Sequence, residues 1–149
     1  MTQNPSVSVL IPTHRRPHLL RECLQSLTIQ TLKPNEVIVL ENGPIKISEE
    51  ICDEFIGKLP IKYFWDPIAN VSRARNILVD KALNEIIAFI DDDCLAARDW
   101  LENLIAPFYR DPKIGAVGGD YLPDLAQKGW VANFIRQAME RSKNVNKNR

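Results

Sequence analysis

The sequence predicts an α/β fold built on a mainly parallel sheet flanked by helices, and three observations carry that prediction. Five short apolar runs, most of them rich in Val and Ile, lack the alternation of half-exposed strands. The segments between them carry apolar residues at helical spacing. Run and segment alternate through residue 118, which is the order of βαβ units.

Val7–Ile11 is the first expected strand. Behind it, Leu20, Cys23, Leu24 and Leu27 fall at i, i+3, i+4 and i+7, and Pro17 suits a first helical turn. Val37–Leu40 is the second strand. Ile47, Ile51 and Phe55 then recur every four residues behind Ser48, a candidate N-cap. Ile61–Trp65 is the third strand, and Ala74, Ile77, Leu78 and Ala82 follow Ser72, another candidate cap. After the fourth strand, Ile86–Ile90, the stripe Trp100, Leu101, Leu104, Ile105 and Phe108 predicts a fourth helix. Ile114–Val117 is the fifth expected strand. An amphipathic stretch, Trp130–Met139, then runs into a polar tail, Ser142–Arg149.

With 149 residues the chain is expected to form one domain, residues 1–149. Its 45% apolar and 26% charged residues are those of a globular protein. Nineteen basic residues balance nineteen acidic ones, which excludes a strongly basic nucleic-acid binder, so no nucleic-acid partner is expected. Cys23, Cys52 and Cys94 are odd in number and widely spaced, which suggests neither a disulfide framework nor a zinc site. No apolar run is long enough to span a bilayer, and no leader pattern opens the chain. The expected location is cytoplasmic.

Ligands of open parallel sheets bind beyond the carboxyl ends of the strands. Those ends are polar here: Pro12-Thr13-His14-Arg15-Arg16, Glu41-Asn42-Gly43, Asp66-Pro67, Asp91-Asp92-Asp93 and Gly118-Gly119-Asp120. The acidic trio is the most informative. Two carboxylates about 4 Å apart repel by about 4 kcal/mol at an effective dielectric near 20. Three at one buried strand end must be hydrated, protonated or given a cation. Carboxylate oxygens suit Mg²⁺ or Mn²⁺, which sit between one or two carboxylates and substrate phosphates. The alternative is a solvated turn that caps the next helix. Neither a P-loop, a Gly-rich dinucleotide fingerprint nor a G-x-S-x-G elbow is present. His14 reads as a loop residue near the cleft, His18 as a helix-surface residue, and Cys94 as a packing residue.

The order of VSVLIPTHRR, LQSLTIQTLKPNEVIVLENG, NVSRARN, IIAFIDDDC with WLENLIAPF, and IGAVGG over residues 6–119 resembles the nucleotide-sugar half of family-2 inverting glycosyltransferases. The resemblance implies a Rossmann-like GT-A fold, a nucleotide-diphosphate sugar donor, Mn²⁺ or Mg²⁺, and an acceptor the sequence does not identify. It places Pro12 and Thr13 against base and ribose. Glu41 stands where the family usually has Asp contacting the base, with Asn42 sharing that role. Arg75 and Asn76 match the segment beneath the nucleotide and diphosphate. Asp91 and Asp93 match the two aspartates of D-x-D, with Asp93 favoured for direct metal ligation and Asp91 for ribose or metal-water contacts; Asp92 is the variable middle position and also a candidate substrate contact.

The family's catalytic carboxylate belongs to an acceptor half beyond IGAVGG. Asp120 and Asp124 do not sit in that motif, so no catalytic base is assigned, and the acceptor part is expected to be missing. A binding module without turnover and a nucleotidyltransferase are the alternatives. Trp130, Phe134 and Ile135 predict self-association. Five basic residues against one acidic between Arg136 and Arg149 predict a peripheral contact with the inner face of the membrane, or only a solubilising end.

Overall fold

The computed structural model describes residues 6–119. It divides the chain into two units, Met1–Val117 and Gly118–Arg149. The expectations placed on Trp130–Met139, on Asp120 and Asp124, and on the basic tail lie outside the described residues.

Eight elements alternate in the first unit: β1 (Val7–Thr13), α1 (Pro17–Thr28), β2 (Glu36–Asn42), α2 (Glu49–Asp53), β3 (Ile61–Asp66), α3 (Val71–Lys81), β4 (Ile86–Phe89) and α4 (Trp100–Arg110). The strands form one parallel sheet in the order β3-β2-β1-β4. The central strands β1 and β2 are buried at every position, as continuous apolar runs require. The outer strands β3 and β4 are only partly buried.

Alternation along β1 sorts its side chains onto two layers. Val7, Val9 and Ile11 pack with Leu20, Cys23, Leu24 and Leu27 of α1, Ile51 of α2, and Leu101 and Ile105 of α4. Leu10 points the other way and packs with Ile38, Leu40, and Ala74 and Leu78 of α3. Three helices therefore cover one face and α3 the other. The chain runs outward from β1 through β2 to β3, then returns past β1 to β4. This reversal creates a switch point beside β1, the place where such sheets hold ligands.

Pro12 widens that point. The β1–β4 ladder ends with Leu10 opposite Phe89, followed by Ile90 N–H donating to the Leu10 carbonyl. Pro12 has no N–H to continue it toward β4, whereas β1 and β2 stay paired as far as Thr13 and Glu41. The strand ends part, and a cleft opens between them.

Four local expectations are corrected. Ile114–Val117 forms no strand; Ile114 N–H turns back to the Asp111 carbonyl, Gly115 and Ala116 are exposed, and the run pairs with none of the described strands. A four-residue run containing Gly and Ala has little apolar surface to bury on a sheet. Ser48 stands at the N-cap of α2, but its hydroxyl goes to Glu41 instead of capping the helix. Ser72 is not a cap either: Asn70 is, accepting from Arg73 N–H at 2.9 Å. Ile47 lies outside α2 and is exposed, leaving Ile51 and Phe55 as the buried part of that stripe.

At the opposite end of the sheet, a buried Glu36 joins three strands. Its carboxylate accepts from the Ser8 hydroxyl at 2.7 Å, Lys62 Nζ at 2.6 Å and Leu83 N–H at 3.1 Å. Burial pushes this carboxyl upward, but the Lys62, Ser8 and Leu83 donors outweigh it and hold it below its ordinary value. A carboxyl with a lowered folded pKa stabilises the fold above the unfolded value of about 4.3, and that contribution is lost as pH falls through the folded pKa. Glu36→Gln is therefore expected to lower stability at pH 7 and to flatten its decline below about pH 4. Urea unfolding across that range is the check, and parallel wild-type and variant curves would refute the assignment.

Candidate functional site

A cleft of about 300 Å³ opens at the carboxyl ends of the strands, lined by Pro12, Thr13, His14, Arg16, Asn42, Ala69, Val71 and Asp91. Each wall has a local reason for its position. Arg15 adopts φ 55°, a left-handed turn that takes the chain from β1 into α1, with Arg16 at the helix N-cap and Pro17 behind it. The loop after β4 is tied to α1 from below. Buried Gln30 donates to the Ala97 carbonyl at 2.7 Å and accepts from Leu101 N–H at 3.0 Å, while the Ser26 hydroxyl accepts from Ala96 N–H at 3.0 Å.

The three aspartates receive three different environments. Asp92 is fully buried, and Thr13 Oγ1 donates to its Oδ2 at 2.7 Å. Arg16 Nη2 lies 2.6 Å from Asp92 Oδ1; this contact is ionic only, since no donor is aligned on Oδ1. Burial pushes the Asp92 carboxyl above its ordinary range, against the Thr13 hydroxyl and the Arg16 charge, which pull it down. Asp93 is half-exposed and accepts from Arg16 Nη1 at 2.8 Å. Asp91 is half-exposed on the cleft wall and accepts from Arg75 Nη2 at 3.0 Å. The repulsion expected of the trio is thus offset by pairing all three with two arginines.

Glu41 is placed differently from the expectation for a base contact. It is 1% exposed, and its carboxylate is occupied by four donors: Ile47 N–H and Ser48 N–H, both at 3.0 Å, the Ser48 hydroxyl at 2.9 Å and the Tyr63 hydroxyl at 2.6 Å. Burial and this hydrogen bond hold the Tyr63 hydroxyl well above its ordinary pKa, so it stays a donor. Glu41 thus ties the loop after β2 to the start of α2 and to β3.

Asn42 lines the cleft. With its amide oriented to satisfy both ends, it donates to the Thr13 carbonyl at 2.9 Å and accepts from Asn70 N–H at 3.0 Å. Gly43 follows at φ 139°, where an added Cβ would stand 2.8 Å from the His14 ring, and His14 Nδ1 is hydrogen-bonded to the Asn42 carbonyl. Trp65 Nε1 donates to the Gly43 carbonyl at 2.8 Å.

The structure therefore brings Pro12, Thr13, Asn42 and Asp91 to the cleft wall, with Asp92, Asp93 and Arg75 joined to it through ion pairs. It does not bring Asn76 there. That residue is two positions past buried Ala74 on α3, about 200° around the helix, and exposed. His14 lines the cleft, His18 is exposed on α1, and half-buried Cys94 packs against the core. Arg16 by itself, Ala69 and Val71 line the cleft without a local sequence signal, and the Asp93 partner of Arg16 lies 77 residues along the chain.

Residues 8–147 match the family model described as Glycosyl transferase family 2. The chain is 29% identical over 130 residues to the Glucosyl-dolichyl phosphate glucuronosyltransferase of Haloferax volcanii, across 85% of this chain and 40% of that protein. It is 30% identical over 122 residues to the Glycosyltransferase GlyA of Streptococcus pneumoniae, across 81% of this chain and 18% of that one. Among solved structures, the mannosyltransferase PcManGT of Pyrobaculum calidifontis, in complex with GDP-Man and Mn²⁺, superposes with a TM-score of 0.67 at 25% identity, across 76% of this chain and 35% of that one. TarS of S. aureus in complex with UDP shares the fold, with a TM-score of 0.65 at 23% identity across 83% and 40%. The chain thus spans less than half the length of these relatives.

The Glu41 contacts yield a direct test. Glu41→Gln turns one acceptor oxygen into an amide donor facing protein donors, which is expected to cost about 2–4 kcal/mol of stability. Chemical denaturation measures it; a loss below about 0.5 kcal/mol, the range of an ordinary surface change, would show that the clamp is dispensable.

Proposed function

The chain belongs to Glycosyl transferase family 2, and from that premise we propose that it forms the donor-binding part of a glycosyltransferase, taking a nucleotide-diphosphate sugar whose sugar is passed to an acceptor with inversion. The observation that carries this reading is the cleft at the switch point of the sheet, where Thr13, Asn42, Arg16 and Asp91 converge beside the acidic strand end. The UDP and the GDP-Man bound by the two structural neighbours support a nucleotide ligand of this class.

In this reading, Pro12, Thr13 and Asn42 form the wall against which nucleoside and ribose lie. Glu41 serves from behind: with its carboxylate occupied by four donors, it sets the loop after β2 and does not itself read the base. Arg75 stands at the rim through Asp91 and is available to diphosphate oxygens. Asn76, on the outward side of α3, takes no part.

The donor set suits a divalent metal. Asp91, on the cleft wall, and Asp93, paired with the cleft residue Arg16, are hard oxygen donors, 50% and 45% exposed. Among the described residues, no group of three His, Cys, Asp or Glu converges to hold an ion unaided. Asp93 as the principal ligand, with Asp91 beside it, would hold Mn²⁺ or Mg²⁺ together with the donor. Such an ion would neutralise the charge that grows on the departing diphosphate.

Transfer with inversion requires the acceptor hydroxyl to approach the sugar C1 opposite the leaving diphosphate. It also requires a base within about 2.6–3.2 Å of that hydroxyl. We assign that base to no residue of 6–119. The described part binds, orients and balances charge.

Asp93→Ala is expected to leave the fold intact, since the side chain is half-exposed, and to abolish the metal-dependent part of nucleotide binding. Calorimetry with UDP and with GDP, each with and without Mn²⁺, measures this. Equal Mn²⁺-dependent binding by variant and wild type would overturn the ligand assignment.

A further inference from the structure

We propose that Arg16 is a resident counter-cation of the acidic strand end: it holds Asp92 and Asp93 in the absence of donor, yields Asp93 to an arriving divalent metal, and turns its freed nitrogen to the donor's diphosphate. The proposal rests on the donor-site reading above and deepens it.

Its basis is the asymmetry of one guanidinium. Arg16 Nη1 hydrogen-bonds Asp93 at 2.8 Å, and Nη2 lies 2.6 Å from Asp92. Asp92 is fully buried and already holds the Thr13 hydroxyl, so it is fixed, whereas Asp93 is half-exposed and open to an incoming ion. Arg16 is itself half-exposed and lines the cleft, unlike an ion pair on an outer helix face. The contact with Asp92 Oδ1 lacks hydrogen-bond alignment, so the aligned hydrogen bond of this guanidinium is the one to exposed Asp93.

Charge decides the order of events. Three carboxylates against Arg16 and Arg75 leave one net negative charge, unfavourable for a diphosphate. A divalent ion on Asp93 reverses that sign, but it would sit against Arg16 Nη1, and a divalent and a monovalent cation about 4 Å apart repel about twice as strongly as two carboxylates. Metal entry and the departure of Arg16 from Asp93 are therefore one coupled step. The planar fork of a guanidinium matches phosphate oxygens, which gives Arg16 a new partner in the cleft. Asp93 thus exchanges an internal cation for a ligand-borne one, and the diphosphate receives the cation that Asp93 releases.

The test separates metal from phosphate and needs no turnover. The full chain, as wild type, Arg16→Ala and Arg16→Lys, is titrated by calorimetry with Mn²⁺ alone, then with inorganic pyrophosphate at saturating Mn²⁺. Removing the competitor is expected to tighten Mn²⁺ binding by roughly threefold to tenfold and to weaken pyrophosphate by about tenfold or more. Opposite signs for the two ligands distinguish this role from mere damage to the fold, which weakens both. Arg16→Lys keeps one point charge and should shift both ligands in the same directions by less; it decides the matter if Arg16→Ala fails to fold. Unchanged or weaker Mn²⁺ binding in the folded variants, or undiminished pyrophosphate binding, overturns the role of Arg16 while leaving the donor site standing. A wild type that binds neither ligand overturns both readings.

Discussion

The Asp92 carboxylate, buried where β1 and β4 part, is the constraint around which the site is arranged. Its contacts with Thr13 and Arg16 cross the gap that the backbone ladder leaves open beyond Leu10 and Phe89. A buried carboxylate is tolerated only when paired and hydrogen-bonded, so Asp92 fixes the ends of both strands and the start of α1 relative to one another. Asp91 and Asp93, on either side of it in the chain, are then held half-exposed, Asp91 on the cleft wall and Asp93 against Arg16. The residue least available to solvent positions the two that can meet a ligand.

A second buried carboxylate does the corresponding work on the other wall. Glu41 gathers two backbone amides and two hydroxyls from the residues between β2 and α2 and from β3, and Asn42 links the end of β1 to the cap of α3. Gly43 supplies the backbone conformation and the space for His14 that let these residues stand next to one another. Polar groups at strand ends thus divide into those that hold loops and those that face the cleft. Among the charged groups burial marks the division: Glu41 and Asp92 are inside, while Asp91, Asp93 and Arg16 are half-exposed.

The two arginines give this arrangement its electrostatic character. Arg16 and Arg75 each span from a helix to the strand-four aspartates, so the charge needed to assemble three carboxylates is also the charge available to a phosphate ligand.

By itself the sequence determined the order of strands and helices through α4, the parallel class of the sheet, the buried faces of α1 and α4, and the strand ends at which a ligand would sit. Those features follow from apolar periodicity and turn chemistry, which are local and survive in one dimension. It also pointed to Pro12, Thr13, Asn42 and Asp91, because each lies immediately at a strand end. Only the tertiary structure decided the division of labour among the polar residues. Glu41 and Asp92 face inward, Asn76 faces away, Ser48 serves Glu41 in place of its helix, and Ile114–Val117 stays off the described sheet. Each of these outcomes depends on a partner or a packing surface brought near only by folding: Tyr63 for Glu41, Thr13 for Asp92, the buried face of α3 for Asn76, an available strand edge for the last run. Arg16 is the extreme case. Its role is set by carboxylates 76 and 77 residues along the chain, and long-range pairing of charges leaves no periodicity in a sequence from which it can be read.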